Sequence, residues 1–527
     1  MDQIGASHIS LRPIHDEEEE EEIDNLENLI VSSKSLSAYE QDSFKCLLPQ
    51  IIASIIAASF AIGNGVSMSY SAILISQLEA PDSGFHVSKT QNAFMASIVP
   101  LMGPLASILS GFLMDKFGRV NALRLAIIPG IFGWSSLALA PNFQVIMVGR
   151  ILTGIASTCA SNPILVYITE IAHPKMRMSF MQMIPSYVSL GMIITYFGGS
   201  YVNWRTIAWL TNGFLIVSLI ASSVIRESPL WLIYKGKLKE AKKSLTWFHK
   251  YQPNPLGKKE TYAELEFKAL KKKQDEKDVL RKEKKSVKDI IREFRKPTGY
   301  RPVLIMIPLF FFQQFSGIYV TMFYAITFIQ DSGSNINAYF ASSFIGLIRL
   351  VMAIFNVFIL RYINRRTAIM VSGVGMAIFI FISGLYTQWN EEGVTTASWI
   401  PVAAILMYVV CSVTGLMFLP SMVTPELFPI EIRGVGYTIG YSITMLLMFG
   451  SLQSYYYLKE VLGGPSHLQW FYAIMCLAAC VYTFIFLPET RGKKLSEISE
   501  YFNEGWTYIG RSHKKDKNLR KTKTIVG

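Results

Sequence analysis

Twelve stretches of this chain are apolar for long enough to cross a hydrocarbon core, and nothing else in its 527 residues restricts the fold so strongly. A spanning helix needs about 20 such residues. The stretches run approximately over 49–73, 92–113, 121–140, 144–169, 180–200, 205–225, 302–329, 338–360, 367–386, 399–424, 434–457 and 467–487. About 75 polar residues separate the sixth from the seventh, whereas the other connections are short, so the chain reads as six plus six. Its composition, 51% hydrophobic and 17% charged, is that of a membrane protein. The expected fold class is an all-α multi-pass membrane protein with twelve transmembrane helices in two six-helix halves and a cytosolic helical linker. Its expected parts are a tail over 1–48, a half over 49–225, the linker over 226–301, a second half over 302–487 and a tail over 488–527.

The formal charge of +12 would suggest a nucleic-acid partner if it were spread over a surface. It is not: the 226–301 segment holds 23 Lys/Arg against 11 Asp/Glu, and so carries the whole excess. Basic loops stay in the cytosol. The linker, both termini and every second connection are therefore expected there, with Lys116, Arg119, Arg124, Lys175, Arg177, Arg361, Arg365, Arg366 and Arg433 on the same side of a cell membrane. The partners expected are the lipid bilayer and a small solute, with no nucleic acid. All five cysteines lie in spans or at a span edge, which suggests neither a disulfide nor a metal site. The acidic run Asp16 to Glu22 reads as a solvated tail, and no signal peptide precedes the first span. No nucleotide motif or catalytic set appears, so neither a cofactor nor an enzymatic activity is expected.

Inside the seventh stretch stand two adjacent carboxamides, Gln313 and Gln314, in the string Gln-Gln-Phe-Ser-Gly-Ile-Tyr. A polar side chain facing lipid lacks a hydrogen-bond partner, so such groups face the bundle interior. Paired amides, each with two donors and an acceptor, suit a neutral polyhydroxylated solute. Tyr319, and Phe323 and Tyr324 about one turn on, are candidate walls of the same cavity, and Asn64 of the first stretch faces either solute or another helix. Arg349 lies about eleven residues from either limit of the eighth stretch, too far in to snorkel to an interface. It is expected to face the cavity, with backbone carbonyls, Tyr319 or a bound solute as its partner.

Charged residues recur at the cytosolic helix ends: Asp115-Lys116-Phe117-Gly118-Arg119, Glu170 with Arg177 seven residues on, Arg226-Glu227-Ser228-Pro229, Pro425-Glu426 with Arg433, and Pro488-Glu489-Thr490-Arg491-Gly492. Asp115, Arg119, Glu170, Arg177, Glu227, Glu426, Arg433 and Glu489 are expected to form a latch that pairs when the halves close on that side. These strings, in this order and together with Gln-Gln-x-Ser-Gly-Ile, resemble the sugar porter family of the major facilitator superfamily, over about 50 to 500. The resemblance is greatest to insect facilitated sugar transporters of the trehalose-transporter-like group.

The resemblance implies the major facilitator fold, a midplane sugar site and alternating access, in a chain working as a monomer. It also exposes departures. Tyr319 stands where hexose facilitators have a sugar-binding Asn, Pro185 where they have Gln, Ser421 where they have Trp, and Thr444 and Met445 where they have Asn-Trp. Arg349 replaces a polar amide. The loop after span 8, Arg361-Tyr362-Ile363-Asn364-Arg365-Arg366, lacks the usual leading acid, which leaves Glu426 and Glu489 to carry that half of the latch. With no acid at mid-depth, facilitated diffusion of a hexose or a disaccharide such as trehalose is expected rather than proton symport. The alternatives are a facilitator of another solute, such as an anion with Arg349 as counter-charge, or a non-transporting nutrient sensor.

Overall fold

The computed structural model describes residues 44–81, 87–173, 176–253, 261–280, 287–395, 397–429, 432–491, 493 and 495–505. The acidic run 16–22 and the end of the C-terminal tail lie outside them. Every regular element among the described residues is helical. Two compact units emerge, one from Met1–Ile51 with Pro229–Lys282 and one from Ile52–Ser228 with Glu283–Gly527.

In the first unit the linker folds as helices, as its helix-forming composition predicts. Pro229–Tyr234 turns into Leu238–Phe248 through Gly236, whose φ of 72° is the left-handed conformation that glycine adopts freely. Trp231, Leu232, Ile233 and Ala241 form a small core, and Phe267 and Leu270 of the Tyr262–Leu280 helix pack on it. Lys242 pairs with Glu264 at 2.8 Å and His249 with Glu266 at 2.5 Å. Cys46 donates its thiol hydrogen to the Tyr251 carbonyl.

Twelve helices are long and apolar enough to cross a membrane: Phe44–Leu78, Lys89–Phe117, Arg119–Ala138, Phe143–Ile171, Ser179–Gly199, Trp204–Ala221, Pro297–Phe323, Ala338–Asn356, Arg365–Glu391, Ile400–Leu427, Arg433–Gln453 and Pro465–Phe486. They are spans 1 to 12 below. The first starts five residues earlier than its apolar run suggests and the seventh likewise, because polar residues at a helix end do not break the helix. In the second unit, span 1 packs on span 5 so closely that a Cβ on Gly65 would strike the Val188 carbonyl, and one on Gly191 the Ile62 carbonyl. Small residues at such crossings let backbones touch.

The two halves meet along spans 5 and 8 and along spans 2 and 11. Gly346 lies against Ile193, and Gly103 against Met445. The short Leu495–Glu504 helix buries Ile498 and Phe502, and Arg301 donates to the Phe502 carbonyl at 2.5 Å. The stretch from 488, expected as a basic tail, thus begins with a packed helix.

Candidate functional site

Spans 7 and 10 are both interrupted near their middles. Span 7 is helical over Pro297–Phe315, turns at Gly317 with φ 88°, and resumes as Val320–Phe323 and Ala325–Gln330. Span 10 is helical over Ile400–Thr414, breaks at Gly415, and resumes as Leu419–Leu427. An interrupted helix frees carbonyls that lipid cannot satisfy, so side chains of neighbouring helices must. Gln313 donates both hydrogens of its amide to the Leu416 and Met417 carbonyls, each at 2.8 Å. Asn356 donates to the Val413 carbonyl, and Ser372 bridges from the Leu416 N–H to the Cys411 carbonyl. At the span 7 break, Tyr408 donates to the Ser316 carbonyl and Ser451 to that of Gln314.

The glutamine pair is thereby divided. Both side chains are fully buried. Gln313 spends its amide hydrogens on backbone and offers its Oε1 to Gln314. Gln314 donates weakly to Gln313 at 3.3 Å, and its Oε1 is buried without a partner. The Tyr472 hydroxyl, whose ring covers Gly317, is likewise unpartnered. An acceptor and a hydroxyl therefore remain unspent at the span 7 break.

Arg349 sits between the two breaks and is 4% exposed. Its Nη1 contacts the Met322 sulfur at 3.1 Å and the Met417 sulfur at 3.0 Å. Its guanidinium lies 6.0 Å from the centre of the Phe418 ring, and its Nε has no partner. Met417 joins the two features, since its carbonyl receives Gln313 and its sulfur receives Arg349. The ionisable groups acting on Arg349 are the phenols of Tyr319 and Tyr196. Tyr319 is only half-buried, and it also neighbours Tyr441 of span 11, which meets the Thr158 hydroxyl of span 4 across the halves.

The other expected lining residues have protein partners of their own. Tyr324 donates to the Leu452 carbonyl and stacks on Tyr455 at 4.5 Å, with Tyr456 edge-on. Phe323, the preceding residue, is fully enclosed. Tyr324 thus joins Tyr455 and Tyr456 in an aromatic plug. Asn64 donates to Ser161 at 2.7 Å, a bond between spans 1 and 4. Arg150, absent from the expected set, is 0% exposed in span 4 and donates to the Met95 and Ser67 carbonyls, each at 3.1 Å, and to the Ser71 hydroxyl. A lone base inside an apolar run was the signal that could have found it.

The helix-end charges gather at one face, and the bonds described there join residues of the same half. Arg119 forks onto Glu170 at 2.7 and 3.0 Å. Glu227 accepts the Arg119 and Val120 backbone N–H groups, and so caps span 3. Glu489 accepts those of Arg365 and Arg366, and so caps span 9. Ser228 donates to Glu170 as Thr490 donates to Glu426 at 2.5 Å. The second half thus repeats the first: an acid after the sixth helix caps the third, and the hydroxyl beside it binds the acid after the fourth. Burial raises the Glu227 carboxyl above its ordinary range, while the N–H donors oppose this. Asp115 and Arg177 are exposed and Arg433 is half-buried at the same face.

At the opposite face the halves are bonded to each other. Ser76 bonds Tyr339 at 2.9 Å, and Ser97 donates to Gln453 at 2.8 Å. Tyr196 donates to the Met322 carbonyl at 2.5 Å, at the start of that outer segment of span 7. Glu79, just beyond span 1, accepts from Asn92 at 2.6 Å and Tyr456 at 3.4 Å, and burial holds its carboxyl above the usual range.

A family described as "Sugar (and other) transporter" matches residues 46–502. The chain belongs to that family. It is 30% identical over 455 residues to the facilitated trehalose transporter Tret1 of Apis mellifera ligustica, covering 86% of this chain and 88% of that protein. It is 26% identical over 452 residues to the protein of the same name from Polypedilum vanderplanki, covering 85% and 87%. Among solved structures, it superimposes on the partially occluded inward-open xylose transporter XylE of E. coli with a TM-score of 0.67 at 19% identity, over 84% of this chain and 99% of that one. The protein is therefore a multi-pass membrane transporter of the sugar family with the major facilitator fold. Besides Arg150, sequence reading had missed Met322, Met417, Asn356 and Tyr441, which border the broken helices.

Proposed function

We propose that the protein moves a sugar down its gradient by alternating access, the two six-helix halves rocking about the broken centres of spans 7 and 10. The observation that carries this reading is the unspent pair at the span 7 break, the Gln314 acceptor and the Tyr472 hydroxyl. Buried polar groups without partners are costly, and a polyhydroxylated ring supplies both a donor and an acceptor. Discontinuous helices at a repeat interface are where transporters of this general design hold solute.

The charged face is the cytosolic one, since the basic linker leaves from it. Bonds between the halves at the opposite face then make the present arrangement inward-facing. The internal caps of each half keep it rigid while it rocks, which is the role we assign to Arg119, Glu170, Glu227, Glu426 and Glu489. A hexose or a disaccharide such as trehalose is the cargo class, and no proton is carried. The test is uptake of labelled glucose and trehalose by purified protein in liposomes, at several pH values. Saturable uptake indifferent to a proton gradient is expected. Absence of saturable uptake of every sugar offered would overturn the reading.

A further inference from the structure

Among the described residues none supplies a counter-charge to Arg349. Its Nη1 touches two thioether sulfurs, which are weak acceptors, and its Nε has no hydrogen-bond partner. A guanidinium stays ionised under all ordinary conditions. A buried charge is tolerated when it is paired, and a site that leaves one unpaired is built for an anion to complete it. The surroundings are those to which we assign the sugar. The guanidinium lies between the interrupted centres of spans 7 and 10, and Tyr319, half-buried, is at its side. The second buried arginine shows what a structural one looks like here, since Arg150 has an oxygen on each of its three nitrogens.

Resting on the sugar-transport reading, we infer that the preferred cargo is an acidic sugar bearing one carboxylate, which Arg349 grips through its planar fork while Gln314 and Tyr472 engage ring hydroxyls. Guanidinium and carboxylate match in a bidentate geometry that a neutral sugar cannot offer. Binding then neutralises the carrier at mid-membrane. The empty carrier returns with its fixed charge, and each cycle moves one negative charge.

The experiment uses the full chain in liposomes with labelled glucuronate, glucose, trehalose and lactate, under an imposed potassium diffusion potential. Glucuronate uptake should saturate at lower concentration than glucose or trehalose. It should also respond to potential: ~59 mV, inside positive, should accumulate the monoanion about tenfold at equilibrium. Arg349→Gln should raise the glucuronate KM at least tenfold, and Arg349→Lys should recover part of the loss. Glucose or trehalose uptake without glucuronate uptake overturns this inference and leaves the sugar reading standing. So does glucuronate uptake that ignores potential. Lactate uptake without any sugar overturns both.

Discussion

Two arginines lie buried in the spans of this protein, and their surroundings differ completely. Arg150, in the first half, donates to two carbonyls and a hydroxyl, and holds spans 1 and 2 to span 4. Arg349, in the second half, rests on two methionine sulfurs between broken helices. The same side chain is a rivet in one half and an unfinished contact in the other. Burial alone does not separate the two, since both are almost wholly enclosed. What separates them is whether the acceptors are already in the protein. Arg150 thus has an oxygen on each of its nitrogens, whereas the Nε of Arg349 is buried without a hydrogen-bond partner.

The comparison can be broken most severely at Arg150. Replacing it by Gln leaves the Met95 and Ser67 carbonyls without their donors, and should cost roughly 3 kcal/mol or more. A sharp loss of monodisperse protein, seen by size-exclusion chromatography in detergent, is the expected result. A smaller split is expected within the glutamine pair. Gln313→Ala uncovers two carbonyls at the span 10 break and should destabilise by about 1–3 kcal/mol, read as a lower unfolding temperature. Gln314→Ala removes an unpartnered acceptor and should leave that temperature nearly unchanged while raising the KM for sugar. Equal thermal losses would show that both amides are structural.

At the charged face the halves should respond alike. Glu227→Ala and Glu489→Ala each remove an acceptor from the start of a long helix, and should each cost about 1 kcal/mol. A loss in one half only would contradict the repeat. The smallest effect concerns pH. Glu79 has its carboxyl raised by burial in this state. Folded protein therefore binds a proton more readily than unfolded chain. Its contribution is favourable below the ordinary carboxylate range and is lost as pH rises through the raised value. Thermal stability should fall slightly over that interval, and Glu79→Gln should flatten the slope.

Much of the fold was legible in the sequence because apolar length and loop charge are properties of the chain itself. Twelve spans, the division in two and the helical linker all follow from them. The site was legible only in part. The run Gln313-Gln314 marked the right helix, but a sequence does not reveal that span 10 breaks opposite it and claims one amide. Tyr324 stood near the expected cavity in sequence, yet the turn at Gly317 and the break after Phe323 carry it to the plug with Tyr455 and Tyr456. The helix-end acids were visible, whereas their direction was not. Glu227 and Glu489 find backbone N–H groups of their own half before they find any base of the other.

The most direct test of the contrast between the halves is the unfolding temperature of Arg349→Gln, measured beside wild type in the same detergent, with and without saturating sugar. Without sugar the variant should be as stable as wild type or more so, because an uncompensated buried charge has been removed. Added glucuronate should raise the wild-type temperature and leave the variant where it was. A variant that unfolds well below wild type in the absence of ligand, as Arg150→Gln is expected to, would make Arg349 a second rivet and contradict the account.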